Sequence, residues 1–514
     1  MIIEPDIAVS RIAYTASSTS NYHRHHVTTG KEPELHRLIA RGNVVMYRKL
    51  TDWPAIIARC TSHPHEALWL DRRCRTALHS ACTKRPPVDA ILALVHACGS
   101  EIVECPDKHG RTPLVLAIES GSPEAVVKLL LDIHPKAAAK VDDFGYLPLH
   151  RACFNRTTSD AIVRILLECY PEGASKEITS AKNVLTAGGW GTSLNGSIST
   201  SPTLPLDLAI ESGASEGVIR MLVNAYPDAV ATSRFGRDGS SPLLAAVRRH
   251  ASPQSIHVLL EANIEQSFLA TRAKGNLPVH EAIEQNAPIP VVKMLLNANP
   301  EAVLLPNRFH LTPLHLAMKS DSPIEVLKLL LDRAPQVARM TYSRVKSPLD
   351  MAAEEFIKAS PNLTHSTDPS ELVRSLGSSW KRFLLLLRAA YHNLIAQNVD
   401  DEQEEWHVLH GAVSFNVPRK LLQTILLLYP HQVSQVDKLG RTPLSIAADS
   451  GMDWENGLRT LFDACPDAIW KTDSSTGLQV FMSAAIPKQN VIQMQPLSQL
   501  NTVYELLLAG PDMR

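Results

Sequence analysis

A segment that recurs along the chain constrains its fold more than any other feature. In its clearest copy, from Asp107 to His134, a turn with Gly110 at a left-handed position precedes Thr112 and Pro113, residue types that begin helices. Apolar residues then follow at helical spacing through two short helices, and Pro135 stops the second. A helical pair this short cannot bury its own apolar face, so it requires neighbouring copies of itself.

The copies are present over most of the 514 residues. Neighbouring copies are most often 35 or 36 residues apart, and two longer intervals of 57 and 60 residues each contain an insertion. We therefore predict an all-α chain, an α-solenoid of about twelve stacked helix-turn-helix repeats. The index positions of the repeats, equivalent to Leu114, are Leu78, Leu149, Leu206, Leu243, Val279, Leu314, Leu349, Leu409, Leu444 and Val480, with a degenerate first copy at Leu35.

Four strings in the chain resemble the ankyrin repeat. The turn, the T-P-L-H-x-A helix start and the leucine-rich second helix recur in register from about residue 33 to the end. Two departures are proline-containing ends after the second helix and a period two to three residues longer than usual. The resemblance implies a stacked helical solenoid with short β-turn fingers that binds other proteins. The strings are GRTPL at Gly110–Leu114 and Gly440–Leu444, LTPLHLA at Leu311–Ala317 and YLPLHRA at Tyr146–Ala152.

The pattern also predicts the domain organisation. Within the second insertion we expect loop until a helix resumes at Trp380, and we place a further interruption from Pro487 to Leu500. The Gly-, Ser- and Thr-rich stretch 180–202 is a partner-contacting loop, a modification site or an inert insertion. We expect a disordered N-terminal tail over 1–32, the ankyrin-like repeat solenoid over 33–514, flexible insertions at about 175–203 and 357–378, and atypical terminal units at 33–60 and 478–514.

Composition excludes several functional classes. The net charge of −1 argues against bulk attraction to nucleic acid or to an anionic membrane. No run approaches 18 uninterrupted apolar residues, and eight cysteines without a C-x-x-C pair fit a reducing compartment. We expect a monomeric cytoplasmic protein with no membrane association, and the nucleus is the alternative location.

No group of side chains forms a recognisable catalytic constellation. We predict no enzyme, no catalytic residue, no cofactor and no metal site, because phosphate-binding, dinucleotide-binding and zinc-protease motifs are all missing from the sequence. Two cysteines and two histidines, Cys60, His63, His65 and Cys74, leave a zinc or enzyme site as an alternative. The histidines that follow six index positions are expected to hydrogen-bond between adjacent repeats; they are His36, His79, His150, His280, His315 and His410.

The finger tips are the predicted partner-binding surface. Read along the chain, they carry basic residues with aromatic residues interleaved, and arginine and aromatic side chains anchor interfaces most often. We predict a non-catalytic scaffold or adaptor that binds a protein partner, with an acidic one favoured. The alternative is a nucleic-acid-associated regulator that uses the same basic tips. The predicted contact residues are Lys108, Arg111, Phe144, Tyr146, Arg234, Phe235, Arg237, Lys274, Arg308, Phe309, Arg344 and Lys346.

Overall fold

The structure is a computed structural model, and it describes most of the chain. Within the described residues the fold is all-α: no β-strand is present, and only two isolated β-bridges occur, Ile178 with Thr203 and Tyr342 with Val345. The described residues are 32–40, 51–178, 203–232, 240–342, 345–359, 369–395, 407–437, 439–473, 476–486 and 496–509.

One repeat shows why these residues fold as a helical pair. Thr112 is extended and Pro113 occupies the first helical position, where the missing N–H costs nothing, so the first helix runs Pro113–Glu119. The second helix, Glu124–Ile133, buries Val126, Val127, Leu130 and Leu131. Pro135 then begins a 3₁₀ turn, Pro135–Ala139. The proline that ends the second helix therefore has a structural role, since it starts the connection to the next finger.

The chain forms two compact units, residues 1–266 and 267–514. Each described repeat of the first unit contributes a short first helix and a longer second helix. The α-helices of this unit are Glu34–Ala40, Trp53–Ser62, Ala77–Cys82, Val88–Cys98, Pro113–Glu119, Glu124–Ile133, Pro148–Phe154, Asp160–Cys169, Pro205–Ser212, Glu216–Ala225, Ala229–Thr232, Pro242–Arg248 and Pro253–Ala262.

The second unit repeats the same pairing of helices. A single π-type turn, Trp454–Leu458, occurs in its described part. Its α-helices are Pro278–Glu284, Ile289–Ala298, Pro313–Lys319, Ile324–Arg333, Pro348–Ala359, Pro369–Ile395, Val408–Ser414, Arg419–Leu428, Pro443–Asp449, Arg459–Ala464, Val480–Ala485 and Pro496–Ala509. Among the described residues of both units, the 3₁₀ turns are Pro64–Leu68, Ser100–Val103, Pro135–Ala139, Pro171–Ser175, Ile264–Phe268, Pro300–Val303, Pro335–Arg339, Pro430–Val433 and Pro466–Trp470.

The core of each unit contains the residues at the predicted index positions of the repeats. Every index position from Leu35 to Val480 is buried, and none is more than 4% exposed. The six histidines that follow index positions are buried as well, at 3% exposure or less. Burial of a leucine side chain stabilises by about 1.5–3 kcal/mol, so a repeated leucine at this site supplies a large share of the packing energy.

The second predicted insertion, 357–378, differs in the structure at both ends. The helix before it continues to Ala359, and the next helix begins at Pro369, well before Trp380. This helix bends at Gly377, whose φ of 56° and ψ of −142° are not helical. A glycine adopts such a conformation at little steric cost, so a kinked helix occupies residues 369–378, the second part of the expected loop.

Two smaller features also differ from expectation. From the sequence we expect Cys60 to lie with His63 in a connection, but it lies inside the helix Trp53–Ser62. The last helix begins at Pro496, inside the predicted interruption Pro487–Leu500. Asp52 caps the former helix by accepting the Ala55 N–H at 3.1 Å. The tail 1–31, Met46 and the stretch 180–202 lie outside the described residues.

Candidate functional site

Several fingers are shaped by one polar side chain at the base. Asp107 is 2% exposed, and its carboxylate accepts the backbone N–H groups of His109 at 2.9 Å and Arg111 at 3.0 Å. The Arg111 guanidinium donates to the same carboxylate at 2.9 Å, and Gly110 completes the turn with a φ of 74°. Burial raises the pKa of Asp107, but the Arg111 charge and these hydrogen bonds outweigh it, so the pKa lies below its usual value.

The same turn recurs in other fingers with an Asp or Asn at its base. In each, one side-chain oxygen accepts the N–H groups two and four residues later, at 2.9–3.0 Å. Sequence analysis did not single out these residues, although each lies seven positions before an index leucine. The buried base residues with this pattern are Asp107, Asp142, Asn307 and Asp437. Half-buried Asp71 has the same pattern, with its carboxylate accepting the N–H groups of Arg73 at 2.7 Å and Arg75 at 2.8 Å.

Backbone hydrogen bonds join neighbouring fingers. In the first unit the Lys108 N–H donates to the Arg73 carbonyl at 2.8 Å, and the Asp143 N–H donates to the His109 carbonyl at 3.0 Å. In the second unit the Arg308 N–H donates to the Lys274 carbonyl at 3.0 Å. Adjacent tips are therefore held side by side before any partner binds.

Three of the six buried histidines, His79, His150 and His315, hold a first helix to the next finger, as predicted for the repeat register. The Nε2 atoms of His36, His280 and His410 have no hydrogen-bond partner among the described residues, so the prediction is not confirmed for these three. The Nε2 atoms of His79, His150 and His315 lie 3.3, 3.0 and 3.2 Å from backbone carbonyl oxygens of the following finger or connection. A carbonyl only accepts, so each Nε2 carries a proton. Each Nδ1 accepts a backbone N–H, from Thr76, Leu147 and Thr312 respectively, so each ring is neutral.

Burial explains why these rings stay neutral. Desolvation by burial is the largest influence, and it lowers the pKa of His79, His150, His280, His36 and His410 to about 4. A lowered pKa in a cleft can mark a catalytic base, but here the ring nitrogens are occupied by backbone partners in His79 and His150. His79 and His150 are therefore structural.

Several predicted contact residues are held by carboxylates or rings of their own repeat. Arg111 pairs with Asp107 and with Glu119 at 3.2 Å. Lys274 pairs with Glu284, Lys346 pairs with Glu354, and the Arg151 guanidinium lies 4.3 Å from the centre of the Tyr146 ring. The positive charge of these fingers is therefore largely balanced within the protein.

Three other predicted contact residues, Lys108, Arg308 and Phe309, are exposed. Lys108 and Arg308 are exposed, and neither forms an ion pair with any carboxylate in the described part of the chain. Phe309, next to Arg308, is 59% exposed. Phe144 is half-buried and stacks on His109 with ring centres 6.0 Å apart.

Four predicted contact residues lie outside the described residues. They are Arg234, Phe235, Arg237 and Arg344. The structure therefore brings together Lys108 with the finger that carries Phe144 and Tyr146, and Lys274 with Arg308 and Phe309.

The alternative cysteine and histidine site has no support among the described residues. No group of three or more His, Cys, Asp or Glu side chains in this part of the chain is arranged to hold a metal ion. Burial raises the pKa of the Cys60 thiol to about 11, which is opposite to the shift that a nucleophilic thiolate needs. No helix within the described ranges has the length and apolar character that crossing a membrane requires.

Comparison with known proteins identifies the repeats. A family model of ankyrin repeats (3 copies) matches residues 78–180, and a model of the single ankyrin repeat matches residues 309–339. No curated protein matches the chain. The solved ankyrin repeat domain of Bcl-3 is 24% identical, with 49% of this chain and 98% of that chain covered and a TM-score of 0.35.

A second solved structure, the human ASB11 ankyrin repeat domain, is 19% identical to this chain. The match covers 50% of this chain and 98% of that chain, with a TM-score of 0.33. The matched segments contain the helical pairs, the fingers and the buried histidines described above. The chain therefore contains ankyrin repeats, in residues 78–180 and 309–339.

Proposed function

We propose that this chain is a non-catalytic scaffold that binds a partner protein along its fingers and first helices. Ankyrin repeats are generally protein–protein interaction modules, which supports the class of function. The observation that carries the proposal is the backbone hydrogen bond from Arg308 to Lys274, which fixes two tips side by side. A surface that is ordered before binding loses little conformational entropy when the partner docks.

The open side chains define the centre of the proposed surface. Arg308 and Phe309 place a guanidinium without an ion pair among the described residues beside an exposed aromatic ring, and both residue types are enriched at protein interfaces. In the first unit, Arg73 and Lys108 are both exposed, and the hydrogen bond between their backbones sets them in adjacent fingers. An acidic partner surface complements both places.

Predicted contact residues that form ion pairs within the protein have a different role in the proposal. Arg111 and Lys274 hold finger geometry through Asp107 and Glu284, so they contribute to preorganisation more than to direct contact. Arg234, Phe235, Arg237 and Arg344 stay in the proposed surface on their sequence positions alone. A monomeric cytoplasmic protein, with the nucleus as the alternative, remains part of the same proposal.

The test compares partner capture by matched variants of the full chain. Wild type, a finger variant with Arg308→Ala and Phe309→Ala, and a control with Ile289→Ala and Lys293→Ala are used to capture proteins from a cell extract treated with nuclease. The control removes one exposed apolar side chain and one exposed cation from a second helix of the same unit. Circular dichroism confirms that all three chains are folded.

We expect one protein to be captured by wild type and control, and to bind the finger variant at least about tenfold more weakly when purified. Equal capture by all three chains would contradict the finger surface. Capture that disappears with nuclease, together with a steep salt dependence of RNA or DNA binding, would favour the nucleic-acid alternative.

A further inference from the structure

A groove in the second unit lies apart from the fingers. Its volume is about 560 Å³, within the range of sites that bind ligands. Apolar side chains form its floor. They come from the second helices Ile324–Arg333 and Pro369–Ile395, and from the start and end of the next helical pair, Val408–Ser414 and Arg419–Leu428. These apolar lining residues are Ile324, Leu384, Leu385, Val408 and Tyr429.

The long kinked helix creates one wall of this groove. The helix Pro369–Ile395 has 27 residues, whereas the second helices on either side of it, Ile324–Arg333 and Arg419–Leu428, have 10 each. It presents Lys381, Leu384, Leu385 and Arg388 at three- and four-residue spacing, so these side chains share one face. That face has an apolar centre with a cation at each end.

The charged side chains that line the groove are all basic. Lys328, Lys381 and Arg388 are exposed, and none of them forms an ion pair with a carboxylate in the described parts of the chain. His431 lies at the same rim, with its ring 6.4 Å from that of Tyr429. By contrast, three of the finger cations, Arg111, Lys274 and Lys346, are neutralised by nearby acids.

We propose that this groove docks an acidic peptide segment of a partner protein. A large apolar side chain of the peptide enters between Leu384, Leu385 and Tyr429, and carboxylates on either side of it meet Lys328, Lys381 and Arg388. The apolar floor supplies affinity by removing the side chain from water, and the uncompensated cations supply orientation and selectivity for acidic sequences. The proposal is independent of the finger surface.

The experiment uses the full chain and a fluorescein-labelled short peptide that alternates pairs of glutamate and leucine. Binding is followed by fluorescence anisotropy, against one peptide with lysine for glutamate and another with serine for leucine. The groove variant carries Lys328→Gln, Lys381→Gln and Arg388→Gln. The control variant removes three exposed, unpaired cations from other second helices: Lys128→Gln, Arg164→Gln and Lys293→Gln.

We expect saturable binding of the glutamate–leucine peptide by wild type and control, with at least about tenfold weaker binding by the groove variant and by both altered peptides. A second variant, Leu384→Ser, tests the apolar floor and is expected to weaken binding without changing the preference for glutamate over lysine. Circular dichroism and denaturation confirm that each variant is folded.

Several results would overturn the proposal. These are no saturable binding by wild type, equal weakening by the groove and control variants, or preference for vesicles of phosphatidylserine and phosphatidylcholine over the peptide. Displacement of the peptide by laurate, with the same loss in the groove variant, would assign the groove to fatty acids instead. The finger variant Arg308→Ala with Phe309→Ala is expected to bind this peptide normally, so failure of one proposal leaves the other standing.

Discussion

The Nε2 atom of His150 donates a hydrogen bond to the backbone carbonyl oxygen of Lys176 at 3.0 Å, while its Nδ1 accepts the Leu147 N–H at 3.1 Å. Both bonds require the neutral ring. A proton on Nδ1 would face the Leu147 N–H with a second donor, and the ring is fully buried. One histidine therefore joins a helix start to the next connection, and it does so only when uncharged.

The first prediction concerns acid stability. Burial lowers the pKa of His150 to about 4, below the ordinary value of 6.5, so in this range the unfolded chain binds more protons than the folded one. The free energy of unfolding should be constant above pH 6.5 and fall as the pH drops toward 4. Each pKa unit corresponds to about 1.4 kcal/mol, so one such histidine contributes on the order of 3 kcal/mol. Urea denaturation across this pH range measures the effect.

A pair of variants separates buried from exposed histidines. His150→Gln should reduce the pH dependence of the first unit, whereas His257→Gln should leave it unchanged because His257 lies on the surface. An unaltered slope in His150→Gln would show that this ring does not control acid stability.

The second prediction concerns the base of a finger. Asp107→Ala removes the acceptor for two backbone N–H groups and leaves Arg75 and Arg111 without their buried partner. We expect a loss of about 2–4 kcal/mol in the free energy of unfolding, measured by chemical denaturation. Asp107→Asn should cost about half as much, since Asn307 accepts the equivalent two N–H groups with an amide oxygen. Equal losses in the two variants would contradict the hydrogen-bonding role.

The third prediction isolates the contact between adjacent fingers. Gly110 and Gly213 have nearly the same φ, 74° and 73°, so an alanine at either site costs about 1 kcal/mol from backbone conformation alone. A Cβ at position 110 would lie 2.7 Å from the Asp143 backbone nitrogen, whereas one at position 213 would meet nothing within 4 Å. Gly110→Ala should therefore destabilise by at least about 1 kcal/mol more than Gly213→Ala. Equal losses of stability for the two variants in thermal denaturation would contradict a close contact between adjacent fingers.

The fourth prediction concerns how the long helix is held. Arg382 is 6% exposed, donates to the carbonyl of buried Ser322 at 2.9 Å, and forms ion pairs with Asp321 and Glu355. Arg382→Met should lower the free energy of unfolding by about 1–3 kcal/mol, because the Ser322 carbonyl loses its side-chain donor. Asp321→Asn should cost less than about 1 kcal/mol, since the Asp321 side chain is 82% exposed. Denaturant titration compares the two, and a larger loss in Asp321→Asn would contradict this account.

The repeating helices could be predicted because their signals are local. Pro113 at the first helical position, Leu114 in the core and Pro135 after the second helix lie within one repeat, and the structure places all three as expected. The helix that begins at Pro369 was not predicted, because local signals alone were used and its own local signal is that of a loop. Its serine- and glycine-containing start resembles a loop, and the buried Trp380 and Phe383 that hold it pack after the kink at Gly377.

The candidate surface could be predicted only in part. Reading along the chain placed Lys108, Arg308 and Phe309 at finger tips, and these side chains are exposed. It did not reveal that Arg111 reaches Glu119, or that Lys274 reaches Glu284. An ion pair depends on where two different helices or turns place their side chains, and the spacing of residues in one repeat does not contain that information.

From the sequence follow the repeat register, the buried index positions, the hydrogen bonds of His79, His150 and His315, and the ankyrin fold, because each arises from a pattern that recurs within one unit length. Tertiary structure settled which cations are neutralised, where the helix Pro369–Ile395 runs, and that Lys328, Lys381 and Arg388 surround an apolar groove. Those features arise where residues far apart in the chain meet. Their energies depend on distance and burial in three dimensions, which periodicity along the chain does not specify.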